Sequence, residues 1–109
     1  AVIVISGCTL GRGEEKLGKA LMKGYLYNIK HVKPLPRCII FLNDGVRLTT
    51  EGSEVLEDRN DLAEKGVEIL SSITCLEYYG LKGKLATGVT ASMREITERM
   101  QKGENTLIL

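Results

Sequence analysis

The sequence predicts one α/β domain with a mostly parallel sheet of four to five strands and helices on both faces. Two observations carry this prediction. Short apolar runs rich in β-branched residues are typical of strands that are buried on both faces of a parallel sheet. These runs alternate with segments of helical periodicity, as in β-α-β units. The 109 residues, 43% of them hydrophobic, suffice for one core, because a domain of about this size buries roughly two-thirds of its unfolded surface.

The first strand and the first helix enclose a glycine-rich loop. Residues 1–5 form a continuous apolar run that predicts a strand, the loop covers residues 6–13, and a helix follows over residues 14 to about 30. Gly18 and Gly24 each cost about 1 kcal/mol relative to Ala inside a helix, which indicates close packing against the sheet or a partner. The apolar face of this helix is predicted to consist of Leu17, Leu21, Tyr25 and Ile29.

A second strand and a second helix follow a proline-containing break. Lys33–Pro36 ends the first helix, Cys38–Leu42 is a second strand of the buried type, and Asn43–Gly45 has turn chemistry. Ser53 is predicted to cap the second helix, and Gly66 is predicted to end it. The inward stripe of that helix is predicted to consist of Val55, Leu56, Arg59, Leu62 and Ala63.

The last part of the chain continues the alternation. Val67–Leu70 is predicted to form a third strand, and residues 71–81 are predicted to be the end of that strand and a short helix after it. Leu85–Val89 is predicted to form a short fourth strand. Thr106–Leu109 ends the chain as a strand. The last helix is predicted to begin at a capping box formed by Ser92 and Glu95, to turn Met93, Ile96, Thr97 and Met100 inward, and to close at Gly103.

Charge, apolar content and cysteine usage exclude several classes of protein. The net charge of +1 lacks the basic excess with which nucleic-acid binders contact phosphates. The apolar runs are far shorter than the roughly 20 residues that cross a bilayer, so no membrane partner is expected. Three widely spaced cysteines form neither a disulfide framework nor a zinc pattern, which predicts reduced thiols, a cytoplasmic location, no metal and no cofactor. The start at Ala1 rather than Met leads us to expect that a partner domain precedes this sequence.

Three segments are expected to meet at the carboxyl edge of the sheet, where α/β folds place their ligand sites. They are Ser6–Gly13, Asn43–Thr49 and Ser71–Tyr79. Cys75 in the third segment is the sharpest candidate, because it follows a strand and opens a short helix, whose N–H groups and dipole favour a thiolate. Such a thiolate is able to carry sulfur or selenium. The alternative is an inert buried cysteine, since free Cys is among the most buried residue types.

The other candidate residues at this edge each have a structural alternative. Cys8, in the glycine-rich loop, is either an accessory thiol near Cys75 or a bystander, and Cys38 belongs to the core. Gly11, Arg12 and Ser6 would form an anion cradle or simply a tight turn with Arg12 exposed. The remaining residues that we expect to contribute to a thiol pocket, to a subunit contact or to local packing are Asn43, Thr74 and Tyr78.

Several stretches resemble one known family. Ile5–Gly18, Phe41–Val46, Gly66–Leu70 and Thr74–Leu81 resemble, in this order, the DsrE/F-like family, and most closely the C-terminal DsrE-like domain of YedF-type selenium metabolism proteins. The resemblance implies a three-layer α/β/α sandwich, homo-oligomers, and residues 1–109 as a single DsrE-like domain. It also implies an N-terminal TusA-like domain with a Cys-Pro motif, which this sequence does not contain.

The family resemblance further implies a sulfurtransferase-like carrier. In sulfur-relay relatives, a cysteine just after the third strand accepts a persulfide sulfur, and Cys75 is at that place. The partners implied are a TusA-like sulfur-carrier domain or another sulfur or selenium donor protein. Where many YedF-like chains have Cys-x-x-Cys, this chain has Ser72 at the first position, so transfer would use one thiol, a partner's thiol or Cys8. The alternative function is a non-catalytic module that oligomerises or positions a partner carrier domain.

Overall fold

Five parallel strands form one sheet in the computed structural model, which describes residues 1–103 and 105–109. The sheet order is β4-β3-β2-β1-β5, and all four neighbouring pairs are parallel. The α/β architecture with a parallel sheet is therefore confirmed. The elements are, in chain order, β1 Val2–Ile5, α1 Glu15–Ile29, β2 Cys38–Phe41, a 3₁₀ helix Asn43–Leu48, α2 Leu56–Glu64, β3 Glu68–Ser72, α3 Ile73–Tyr78, β4 Val89–Ala91, α4 Met93–Lys102 and β5 Thr106–Ile108.

Two hydrophobic clusters cover the two faces of the sheet. Side chains alternate between faces along a strand, so Ile39 belongs to one cluster and its neighbour Ile40 to the other. The first cluster takes in α1, α2 and α3 through Met22, Leu26, Leu62 and Leu76. The second takes in α4 through Ile96. Helices therefore cover both faces, which gives the three layers.

The buried face of α1 differs from the predicted one. Leu17 and Leu21 are 58% and 48% exposed, whereas the helix buries Gly18, Met22 and Leu26. Tyr25 and Ile29 pack partly against the core. The prediction for Leu17 and Leu21 was wrong because α1 has apolar residues on two adjoining faces. These faces are one residue apart in the sequence, which corresponds to a rotation of about 100° around the helix axis, and the face with Met22 is the one that packs on the sheet.

The two glycines of α1 have different surroundings. A Cβ atom on Gly18 would lie 2.7 Å from Cβ of Thr9, so only glycine allows this approach of the helix to the β1–α1 loop. A Cβ atom on Gly24 would meet no atom within 4 Å. Close packing is therefore present at Gly18, and the packing of Gly24 against the sheet was wrongly predicted.

The start of α2 is later than predicted. Ser53 is not the N-cap: Val55 holds that position, and Ser53 Oγ accepts a hydrogen bond from the Val55 N–H at 3.3 Å in a local turn. The helix buries Arg59 and Leu62, while Ala63 is exposed. Gly66 follows the helix at φ +90°, as expected of the residue that ends it.

The predicted strand over residues 85–89 is also displaced. β4 begins only at Val89, and Leu85 forms an isolated antiparallel bridge with Thr50. Gly88 explains the difference, because its φ of +75° interrupts the extended backbone. A Cβ atom at Gly88 would lie 2.5 Å from the Ile69 carbonyl oxygen, so β3 packs directly on this turn.

The capping box of α4 is confirmed. Ser92 Oγ accepts from the Glu95 N–H at 3.2 Å, and Glu95 Oε1 accepts from the Ser92 N–H at 3.0 Å. Ile96 is buried and Met100 packs beside it. Met93 and Thr97 are exposed, so their predicted inward orientation was wrong.

The helices of the described residues are short. The longest, α1, has 15 residues, whereas about 20 apolar residues are needed to cross a bilayer. Across residues 1–103 and 105–109, no helix is both long enough and apolar enough for that.

Candidate functional site

The three segments predicted at the carboxyl edge of the sheet do meet there, around the 3₁₀ helix. The Cys8 thiol donates a hydrogen bond to the Asp44 carbonyl at 3.2 Å. The Asn43 N–H donates to Cys75 Sγ at 3.1 Å. Below them, the buried hydroxyls of Thr49 and Ser71 are 2.7 Å apart. Cys8 and Cys75, which are far apart in the chain, therefore contact adjacent residues of one short element.

The position of Cys75 follows from the end of β3. Ser72 leaves the strand in an extended conformation, and its Oγ accepts a hydrogen bond from the Cys75 N–H at 3.2 Å. This is N-capping, which serine does well because its hydroxyl reaches a free N–H of the first turn. Cys75 is thereby held in the first turn of α3, half-buried and with a free thiol.

The backbone of the 3₁₀ helix directs a hydrogen-bond donor at the Cys75 sulfur. Asn43 has φ +49°, in the left-handed region where Asn is tolerated better than most residues. Gly45 allows this helix to pack on the end of β1, since a Cβ atom there would lie 2.5 Å from the Ile5 carbonyl oxygen. An amide N–H that faces sulfur stabilises negative charge on it.

A small cavity of about 270 Å³ opens at Cys75. Its other lining residues are Asn43, Thr74, Tyr78 and Tyr79. Tyr78 is 82% exposed and therefore does not pack on the sheet, although its ring meets that of Tyr79 edge-on with centroids 5.2 Å apart. The structure thus brings three of the predicted site residues, Asn43, Thr74 and Tyr78, to Cys75.

The other predicted site residues line a different and larger cavity. It measures about 820 Å³ and includes Ser6, Gly11, Arg12 and Cys8. The Ser6 hydroxyl is already engaged, because it donates to the Leu109 carbonyl at 2.7 Å. These residues are therefore grouped around Cys8, and none of them lines the cavity at Cys75.

The surroundings of Cys8 and Cys38 disfavour their thiolates. Burial, followed by the Asp44 charge, raises the pKa of Cys8, whose thiol acts as a hydrogen-bond donor. Burial raises the pKa of Cys38 to about 12, with a smaller contribution from Glu68. Cys38 lies fully inside the second hydrophobic cluster, as predicted. Of the three thiols, only that of Cys75 receives a hydrogen bond from a backbone N–H in the described structure.

Three charged residues that line the large cavity were not predicted as site residues: Glu15, Lys19 and Arg47. The Arg47 guanidinium also lies 4.8 Å above the ring of Tyr79, which lines the small cavity. Arg47 was identifiable in principle, since it belongs to the segment expected at this edge of the sheet. Within the described residues, no cluster of three or more His, Cys, Asp or Glu side chains is arranged to hold a metal ion.

Comparison with known proteins identifies solved structures of similar fold. No protein-family model and no curated protein matches the sequence. The ychN protein from E. coli has a TM-score of 0.74 at 12% identity, over 99% of this chain and 97% of that one. A protein of unknown function from Methanobacterium thermoautotrophicum, MTH1491, has a TM-score of 0.68 at 18% identity, over 99% and 96%.

A third solved structure agrees with these two. BT1422 from Bacteroides thetaiotaomicron, also described as a protein of unknown function, has a TM-score of 0.66 at 18% identity, over 99% of this chain and 94% of that one. Identities this low show the fold alone. The chain shares its α/β/α fold with these three proteins, and the predicted three-layer architecture with a parallel sheet is confirmed.

Proposed function

We propose that this protein carries sulfur or selenium on Cys75, as a persulfide or a selenosulfide. The observation that carries the proposal is the 3.1 Å hydrogen bond from the Asn43 N–H to Cys75 Sγ at an open cavity. Thiol exchange requires both thiolate character and access. The hydrogen bond favours the first, and the cavity together with the half-buried state of Cys75 provides the second.

The transfer step balances without an added oxidant. The Cys75 thiolate attacks the outer sulfur of a persulfide donor, R–S–SH. A new S–S bond forms between Cys75 and the transferred sulfur, the S–S bond of the donor breaks, and the donor leaves as the thiolate RS⁻. With a selenium donor, an S–Se bond forms in the same way. The Asn43 N–H is placed to stabilise the thiolate before the attack.

The chain would operate with a single nucleophilic thiol. Ser72 occupies the position at which Cys-x-x-Cys chains carry their first cysteine, and its hydroxyl caps α3. Cys8 is the accessory thiol of this proposal, because it contacts Asp44, the residue next to Asn43. The acceptor of the carried atom would be a partner's thiol, for example that of a TusA-like domain, or Cys8 after rearrangement.

Intact-mass measurement after incubation with a persulfide donor tests this function. The unmodified protein should gain the mass of one sulfur atom, or of one selenium atom with a selenopersulfide donor. Cys75→Ser should abolish the gain, while Cys38→Ser, which removes a thiol of the core, should retain it. An adduct that survives in Cys75→Ser would assign the reaction to another residue. Equal adduct formation in Cys8→Ser and in the unmodified protein would remove Cys8 from the proposal.

A second candidate function is a non-catalytic module that oligomerises or positions a partner carrier domain. The exposed apolar side chains of Leu17 and Leu21 on α1 favour it, because exposed apolar patches often mark interaction sites. Light scattering distinguishes the two functions. If this module is the function, Leu17→Glu with Leu21→Glu should reduce the particle mass or partner binding, and Cys75→Ser should leave both unchanged.

A further inference from the structure

We propose that the large cavity is a second ligand site, separate from the Cys75 cavity, that binds a small organic anion through Arg12 and Arg47. The cavity is bordered by the β1–α1 loop, the first turns of α1 and the 3₁₀ helix. The proposal does not depend on sulfur transfer at Cys75.

The charges around the cavity favour an anion. Three cationic side chains line it, those of Arg12, Lys19 and Arg47, whereas only two carboxylate side chains do, those of Glu15 and Asp44. Glu15 is already paired with Lys19 at 3.1 Å. Neither Arg12 nor Arg47 forms an ion pair with any residue in the described ranges 1–103 and 105–109. Two guanidinium groups, whose planar donors match carboxylates and phosphates, therefore remain free for a ligand.

Arg47 is held in place without its charge being neutralised. Its guanidinium lies 4.8 Å above the Tyr79 ring, and a cation–π contact of this kind orients the group while leaving its in-plane N–H donors available. Arg12 lies beside Gly11, which has φ +76° and open space where a Cβ atom would be. A ligand can thus approach the backbone of this loop closely.

The size and the apolar part of the cavity favour an organic ligand. About 820 Å³ lies within the range of roughly 300–1,000 Å³ that is usual for small-molecule sites. An inorganic oxyanion would occupy only a small part of it. Ile108, which is 63% exposed, and Leu109 supply apolar contact for a carbon skeleton. The Asp44 carboxylate lies close to Gly7 and would accept from a ligand N–H or O–H group.

Isothermal titration at low ionic strength tests the site with four probes. Citrate and glutathione represent organic carboxylates, and inorganic phosphate and thiosulfate represent small oxyanions. At least one organic probe should bind more tightly than both inorganic probes. Arg12→Gln and Arg47→Gln should each weaken its binding about tenfold or more, since hydrogen bonds to charged groups contribute about 1.5–3 kcal/mol. Arg94→Gln, which removes an exposed cation from α4 on the other face of the sheet, should leave the Kd unchanged.

Each of the other outcomes overturns part or all of the proposal. Binding of none of the probes at millimolar concentration, or binding that Arg94→Gln weakens as much as Arg47→Gln does, would remove the site. Binding of the inorganic probes alone would overturn the organic class of ligand. Cys75→Ser should retain binding. Because that variant lacks the thiol of the proposed carrier, the anion site and the carrier function can succeed or fail separately.

Discussion

The Asn43 backbone N–H donates a hydrogen bond to the sulfur of Cys75 at 3.1 Å. The geometry has two local sources. Ser72 caps α3 and places Cys75 in its first turn, while Asn43 adopts φ +49° at the start of the 3₁₀ helix. The two residues follow two neighbouring strands, β2 and β3. Their contact therefore depends on the parallel pairing of these strands.

The left-handed conformation of Asn43 predicts a graded response to substitution. Asn43→Gly should change the free energy of unfolding by less than about 1 kcal/mol and should keep the N–H that faces Cys75. Asn43→Val should lower the free energy of unfolding by about 1–2 kcal/mol, because a β-branched side chain is strained at positive φ. Urea denaturation measures both. Alkylation of Cys75 should slow in Asn43→Val and not in Asn43→Gly, and equal stability of the two variants would contradict this account.

The two glycines of α1 form a matched pair for a packing test. Gly18→Ala should destabilise the protein by about 1–3 kcal/mol, because the added Cβ would lie 2.7 Å from Cβ of Thr9. Gly24→Ala should stabilise it by up to about 1 kcal/mol, since its Cβ meets nothing within 4 Å and Ala is the better helix former. Thermal unfolding should show Tm changes of opposite sign. Changes of the same sign would indicate that Gly24 is covered in solution.

Burial of Cys38 predicts a loss of stability at alkaline pH. Its pKa rises from 9.0 in the unfolded chain to about 12 in the fold, so between these values the unfolded state loses a proton that the folded state keeps. Stability is full below pH 9 and then falls, by at most about 1.4 kcal/mol per pH unit. The free energy of unfolding of Cys38→Ala should fall less steeply above pH 9. Parallel curves for the two proteins would contradict the prediction.

The burial of Arg59 without hydrogen-bond partners among the described residues predicts that its replacement stabilises the protein. Its side chain is fully buried, none of its nitrogens has a hydrogen-bond partner among the described residues, and the nearest carboxylate, of Asp58, is 3.9 Å away. Burial lowers the pKa of this guanidinium to about 10, since the charged form loses its hydration. Arg59→Met keeps the length and removes the charge, so it should stabilise the protein by about 1–4 kcal/mol. Arg94→Met, at an exposed position, should change stability by less than about 0.5 kcal/mol. A less stable Arg59→Met variant would show that Arg59 has a partner.

Local chemistry in the sequence determined the order of the elements and several of their ends. The β-branched runs became β1, β2 and β3, and the Ser92–Glu95 capping box starts α4 as predicted. These features depend on residues that are close together in the chain. Hydrophobic periodicity and capping motifs are patterns of such residues, so they are visible in the sequence. The placement of Cys75 in the first turn of a short helix is of the same kind, because Ser72 is only three residues away.

Only the tertiary structure decided which face of α1 is buried and how the site residues divide between two cavities. Leu17 and Met22 both have large apolar side chains that suit a core, and the packing of the helix on the sheet buries Met22 and leaves Leu17 exposed. The grouping of Arg12 with Arg47 around Cys8, and of Tyr79 with Cys75, depends on contacts between segments that are distant in the chain. Such contacts depend on how the elements pack, which no local pattern encodes.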